Sequence, residues 1–215
     1  MKNTPNILFD LDGTLIDSLP GIEETLLATL QSLGADPVSL QAFRPLVGYP
    51  LETVFSILLG KEFPDLGLAV TTYRTLYREL GLPQACPFDG IPEMLHALDA
   101  GARSLFVVTA RNEAMAGRIL ENHGLDGHFI SVRGERAGDG RDCKADLVAE
   151  VLREFNLPAA DTLMIGDRKF DAEAAVANGC FPVGVTYGYG TRQELADAGA
   201  EVLVESPERL ARMLL

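Results

Sequence analysis

The chain predicts an α/β protein, a doubly wound and mostly parallel sheet interrupted by an all-helical insertion. Three observations lead there. After residue 88, short apolar runs alternate with amphipathic helical stretches, the pattern of parallel strands joined by covering helices. Before residue 17 one apolar run, Asn6–Asp10, reads as a lone strand. Between residues 17 and 87 the apolar positions recur at helical spacing, without a convincing strand. The expected organisation is a core of residues 1–16 and 88–215 and a helical domain of residues 17–87.

Each element has a local reason. Ser18 and Pro20 open a helix with Ile22, Leu26, Leu30 and Leu33 on one face, and Gly34 closes it. The segment Phe43–Pro50 contains two prolines and a glycine, which predicts a shaped loop carrying Arg44. Leu66, Val70, Tyr73, Tyr77 and Leu80 form a second helical stripe, stopped by Gly81. These stripes read as core. Further strands are expected at Arg103–Thr109, Phe129–Val132, Thr162–Ile165, Phe181–Val185 and Glu201–Val204. Lys144–Phe155 places Leu147, Val148, Val151, Leu152 and Phe155 on one helical face. A final helix starts after Ser206, an N-cap residue followed by Pro207 and Glu208.

Composition narrows the function. The 215 residues are 47% hydrophobic and 23% charged, which excludes a disordered chain. Against 18 Lys and Arg stand 31 Asp and Glu, a net charge of −13 that repels nucleic acid and anionic membrane surfaces. A phosphorylated substrate stays open, because a cation and a few basic side chains reverse the field locally. No apolar run approaches the ~20 residues that span a bilayer, and the first residues lack the pattern of a signal peptide. Cys86, Cys143 and Cys180 are odd in number and widely spaced, matching neither a disulfide framework nor a metal motif. A reduced, cytoplasmic setting is expected.

The chemistry concentrates at strand ends. Asp10 and Asp12 stand two apart where the first strand runs into Gly13, so both can face one site at its carboxyl edge. Alone, this stretch also fits an ordinary acidic turn; a calcium loop is disfavoured, because the later acidic positions and closing Glu are missing. Thr109 ends another strand, before Ala110, Arg111, Asn112 and a helix. Gly166 and Asp167 end a third, with Arg168, Lys169 and Asp171 leading into a helix. Lys144 begins a helix after the polar loop Gly134–Cys143. Singly, Thr109 can be a helix cap, Lys144 a solvated lysine, and Asp167 and Asp171 first-turn acids. Together they line the edge where open parallel sheets bind ligands.

With these residues in this order, the chain resembles the haloacid dehalogenase superfamily, in particular its phosphoglycolate-phosphatase-like branch. The match comprises Asp10–Ser18 (DLDGTLIDS), Thr109, Lys144 and Gly166–Asp171 (GDRKFD), and the stretches Ala172–Gly179 and Gly184–Leu195 also look like that branch. The resemblance implies a Rossmann-like core with a mobile helical cap, and an Mg²⁺-dependent phosphomonoesterase acting on a small phosphorylated metabolite, 2-phosphoglycolate first. It implies Asp10 as the nucleophile forming an aspartyl-phosphate, and Asp12 as general acid and base. Asp10, the Asp12 backbone carbonyl and Asp167 would hold Mg²⁺. Thr109, the Ala110 amide and Lys144 would hold phosphoryl oxygens, with Arg111 in the same substrate-binding group. Asp171 would support Lys144 or a metal-bound water. Ala110-Arg111 departs from the Ser or Asn followed by Lys in many relatives, though a cation is retained. Arg44 would pair with a second anionic group of the substrate; its alternative is a surface Arg in a local ion pair.

Neighbouring functions share parts of this pattern. A 5′-nucleotidase or a β-phosphoglucomutase-like phosphomutase would use the same groups. A haloacid dehalogenase attacks carbon and needs neither Asp12 nor a metal. A phosphonate hydrolase needs a cap lysine, and Lys61, the one lysine of the 17–87 block, has nothing around it to depress its pKa. A phosphoacceptor signalling domain would carry its acceptor after a middle strand and lack a helical insertion. Partners are expected to be the small substrate alone, with no nucleic acid or membrane, in a monomer or small homo-oligomer.

Overall fold

The computed structural model describes residues 5–35, 43–60, 63–136 and 143–215, and these form two compact units. Lys61 and residues 137–142 of the polar loop lie outside the described residues. The first unit comprises Met1–Ile16 and Pro87–Leu215, the second Asp17–Cys86. Two-residue strands, β2 (Ile16–Asp17) and β3 (Cys86–Pro87), mark the points where the chain crosses from one unit to the other.

In the first unit, β1 (Asn6–Phe9) lies at the middle of a six-stranded parallel sheet, with β4 (Ser104–Asn112) on one side and β6 (Thr162–Gly166) on the other. Beyond β4 lies β5 (Ser131–Glu135); beyond β6 lie β7 (Phe181–Val185) and β8 (Val202–Val204), giving the order β5-β4-β1-β6-β7-β8. Every residue of β1 is buried, which is why its apolar run is continuous rather than alternating. The connecting helices are α4 (Ile91–Ala100), α5 (Glu113–Asn122), α6 (Lys144–Glu154), α7 (Lys169–Asn178), α8 (Arg192–Asp197) and α9 (Pro207–Leu214). On one face Leu8, Phe106 and Met164 pack against Leu147, Val148 and Val151 of α6 and Ala174 and Ala175 of α7. Strand order reverses at β1, with the chain continuing to β4 on one side and to β6 on the other. That reversal opens a crevice at the carboxyl edge between the three strands.

Two strands differ from expectation by more than one residue at an end. β4 runs on through Thr109 to Asn112, and Asn112, not Thr109, caps the following helix by accepting the Met115 amide at 3.3 Å. β5 starts at Ser131, because Asp126–His128 forms a 3₁₀ turn ahead of it and Ile130, 56% exposed, adds no burial to the run. The Ser206 cap is present, its hydroxyl accepting the Arg209 amide at 3.2 Å.

The second unit holds α1 (Leu19–Ser32), a 3₁₀ turn at Arg44–Leu46, α2 (Leu51–Leu59) and α3 (Leu66–Leu76). Leu26, Leu30, Phe55, Val70, Tyr73 and Tyr77 fill its interior, with the Tyr73 and Tyr77 rings stacked at 5.9 Å. The second stripe does not end at Gly81: α3 passes into a π-helical turn (Tyr77–Gly81) and then a 3₁₀ turn (Leu82–Gln84). Gly81 serves space instead, since a Cβ there would sit 2.4 Å from the Tyr77 ring.

Candidate active site

The first site group rests on a buttressed turn. Leu11, Leu15 and Ile16 are fully buried, pinning the loop after β1 while Asp10 and Asp12 stand at its top. The Gly13 amide donates to the Ile16 carbonyl at 2.8 Å and the Leu15 amide to the Leu11 carbonyl at 2.9 Å. Gly13 takes a φ of +79°, and a Cβ there would fall 2.3 Å from Asp167 Oδ2, so the position tolerates only glycine on both counts.

Asp10, Asp167 and Asp171, from the ends of β1 and β6 and the start of α7, form one buried cluster whose carboxylate oxygens lie within 4.8 Å of one another. Lys144 enters from the start of α6, with Nζ 2.8 Å from Asp10 Oδ1 and 2.5 Å from Asp171 Oδ1. The other Asp171 oxygen accepts the Arg168 amide at 2.9 Å, and the Leu11 amide donates to Asp10 Oδ1 at 2.8 Å. Burial dominates the titration of Asp10 and, despite Lys144, pushes its carboxyl up to about 7, with Asp171 and Asp12 adding to the rise. Asp167 is raised well above the usual range by burial and then by Asp10 and Asp171. Burial by itself would lower Lys144, but Asp10 and Asp171 outweigh it and raise the ammonium above its ordinary value.

Three carboxylates against one ammonium leave the pocket short of positive charge. Hard oxygen donors with that deficit fit a divalent cation such as Mg²⁺, which the carboxylates of Asp10 and Asp167 can reach from two strand ends.

Beside the cluster, Asp12 and Arg111 form a two-point pair. Nε donates to Oδ2 at 2.7 Å and Nη2 to Oδ1 at 2.8 Å, with side chains 12% and 18% exposed for Arg111 and Asp12. Thr109 is buried within β4, two residues before Arg111, and its hydroxyl accepts the Arg111 amide at 3.1 Å. Ala110, between them, is exposed.

Arg44 belongs to the helical unit, where its Nε donates to Glu23 at 2.9 Å and its side chain is 60% exposed.

Several contributors escaped sequence reasoning. The Tyr189 amide donates to Asp167 Oδ2 at 2.7 Å, and Thr14 Oγ1 approaches Asp167 Oδ1 at 3.5 Å. Tyr187 donates its hydroxyl to the Thr14 carbonyl at 2.8 Å. Gly188 and Gly190 let this loop lie flat on the site, since added Cβ atoms would meet the Gly13 carbonyl at 2.2 Å and the Asp167 carbonyl at 1.9 Å. Arg168 turns away to Glu194, 2.8 Å distant, tying the loop after β6 to α8. The alternation of glycine and tyrosine in Thr186–Gly190 is the signal that marks such a close-packed loop.

The fold and the carboxylate pocket together define a doubly wound, Rossmann-like α/β core with a buried acidic site at its topological switch point. A profile of the haloacid dehalogenase-like hydrolase family matches residues 7–185, and the chain belongs to that family. It is 38% identical to a 5′-nucleotidase of Pseudomonas aeruginosa over 89% of this chain and 86% of that protein. To a phosphoglycolate phosphatase of Photobacterium profundum it is 29% identical, over 95% and 93% of the two chains. The crystal structure of a predicted phosphatase from Clostridium acetobutylicum superimposes with a TM-score of 0.89 at 31% identity, covering 97% and 96%. The protein is therefore an enzyme, a hydrolase among phosphatases.

Proposed function

We propose that the protein is an Mg²⁺-dependent phosphomonoesterase for a small phosphorylated metabolite, working through a phosphoenzyme on Asp10. The reading is supported above all by the buried carboxylate cluster with Lys144 in its midst. Asp10, the Asp12 backbone carbonyl and Asp167 would hold the ion. When bound, it supplies Lewis-acid polarisation of the phosphoryl oxygens and relieves repulsion between the Asp10 carboxylate and the phosphate.

The chain's own groups divide the remaining work. A carboxylate oxygen of Asp10 forms a bond to phosphorus as the ester P–O bond breaks, and Asp12 delivers a proton to the departing oxygen. In the second half a water attacks the aspartyl-phosphate, its proton passes to Asp12, and the P–O bond to Asp10 breaks. Free phosphate leaves, with both aspartates restored. Thr109, the Ala110 amide and Lys144 would hold the phosphoryl oxygens, and Asp171 holds Lys144. The helical unit is proposed as the cap, with Arg44 as a candidate contact to the substrate beyond phosphate.

Two substrate classes follow from the relatives. The nucleoside 5′-monophosphates are favoured by the 38%-identical 5′-nucleotidase, and 2-phosphoglycolate by the phosphoglycolate phosphatases. Glu23 already answers the Arg44 charge that a substrate carboxylate would use, which weighs toward the nucleotide. A metal-supplemented panel of both classes, ranked by kcat/KM, tests the proposal. Phosphate release that is abolished by chelation and by Asp10→Asn is expected; release indifferent to either would refute it.

A further inference from the structure

We propose that Arg111 is a positioning residue for the Asp12 carboxylate and not a reader of substrate phosphate, an inference that rests on the acid–base role proposed for Asp12. The two residues lie 99 positions apart and meet because β1 and β4 are neighbours with their carboxyl ends together. Both Asp12 oxygens are engaged by two different guanidinium nitrogens at 2.7 and 2.8 Å, the planar fork-on-fork geometry that fixes orientation as well as distance. With side chains 12% and 18% exposed, the pair is better shielded from water than the surface pairs whose contribution is negligible.

A carboxylate on a short side chain turns about two torsions, and proton transfer demands that one oxygen meet the leaving group at hydrogen-bond distance. The fork removes that freedom. Because it makes two contacts, one can stay as a tether while the other oxygen exchanges its proton with the leaving group or the attacking water. A lysine at the same place would provide charge without holding the carboxylate plane. Lys144 is the cation placed within the Asp10 pocket itself, whereas the guanidinium charge of Arg111 is already matched by Asp12. A residue that acts through Asp12 must lose its influence once Asp12 is gone.

The test uses the full chain with Mg²⁺ as wild type, Arg111→Gln, Asp12→Ala and the double variant. First-turnover release is measured on an alkyl phosphate and on p-nitrophenyl phosphate, whose leaving group needs little protonation. Inorganic phosphate binding is followed by calorimetry, and thermal unfolding confirms that each variant is folded. Arg111→Gln is expected to slow the alkyl ester by roughly 10–100-fold, part of the effect of a general acid, with little change on the aryl ester. Phosphate affinity should hold within about threefold, and Arg111→Gln should cost nothing more in the Asp12→Ala background. Should Arg111→Gln fail to fold, Arg111→Lys, which keeps the charge and loses the fork, is expected to show the same split between substrates. Phosphate affinity falling in step with kcat/KM, equal losses on both esters, or additive losses in the double variant would overturn the proposal. Alkyl turnover unchanged by Asp12→Ala would overturn the acid–base reading itself, and this proposal with it.

Discussion

Lys144 and Asp171 meet at 2.5 Å although each lies in the first turn of a different helix. A lysine at a helix N-terminus opposes the helix dipole, so its position is set by the carboxylates it serves. Asp171 in turn is held by the Arg168 amide, and the ammonium it presents reaches Asp10 at 2.8 Å.

Lys144→Met should therefore do more than remove a phosphate contact. It leaves the buried carboxylates without their cation, and kcat should fall by about the 10²–10³-fold seen when a preorganised donor is removed. Lys144→Arg should recover little, since a guanidinium is too broad for a slot that is 6% exposed. Steady-state kinetics on both variants would check this, and near-wild-type turnover in Lys144→Met would exclude Lys144 from the site.

Asp12→Ala should slow hydrolysis by at least the ~10²–10⁴-fold typical of general acid–base catalysis. Where phosphorylation limits the rate, the loss should be smaller for an aryl phosphate than for an alkyl one. Equal losses would count against proton donation by Asp12.

The raised carboxyl of Asp10 carries a pH dependence of known sign. Folded and metal-free, it titrates at about 7 against an ordinary 3.8, so between these values the folded state keeps a proton that the unfolded chain has lost. The contribution of Asp10 to stability is thus largest below about 4 and is lost as pH climbs through about 7, by at most about 1.4 kcal/mol per pH unit. Lys144, raised from 10.5, acts only above that range. In chelator, the unfolding midpoint of wild type should drop relative to Asp10→Asn from pH 5 to pH 8, and Mg²⁺ should protect wild type more at the higher pH. A gap that stays constant would contradict the burial argument.

The loop over Asp167 predicts a contrast among glycines. Gly190→Ala puts a methyl 1.9 Å from the Asp167 carbonyl and should cost about 1–3 kcal/mol as an overpacked site, with a loss of activity as Asp167 shifts. Gly117→Ala, on α5 with nothing within 4 Å, should instead stabilise by up to about 1 kcal/mol through helix propensity. Denaturant titration of the two variants separates them; equal effects would mean the loop yields freely.

Arg44→Ala tests whether the helical unit reads the substrate. If it does, kcat/KM should fall for a metabolite with a second anionic group and change little for a phosphate ester of an uncharged aryl group. If the pair with Glu23 is its whole role, neither substrate should respond, in keeping with the ~0–1 kcal/mol of an exposed ion pair.

Much of this protein is legible in residue order. The continuous apolar run of β1, the helical stripes of α1 and α6, and the Ser206-Pro207 start of α9 follow from side-chain period and capping chemistry, which act over a few residues. The Asp10–Gly13 turn and the place of Asp167 just past β6 belong to the same class, whereas β4 does not end at Thr109 but runs on to Asn112. Other features had no local signature. Nothing near Arg111 announces Asp12, 99 residues away, and nothing near Lys144 announces its contact with Asp10; the support of Lys144 by Asp171 is implied by the family resemblance alone. By residue type Thr109 is as fit to cap a helix as Asn112, which does so, and Gly81 reads as a stop, whereas in the fold the Tyr77 ring occupies the space of its missing side chain. The fit of Thr186–Gly190 over Asp167 likewise depends on bringing β7 beside β6. Periodicity and turn chemistry specify which elements form and where polar groups fall on them. Which of those groups meet, and how burial shifts their charges, depends on strand order and packing between residues far apart in the chain.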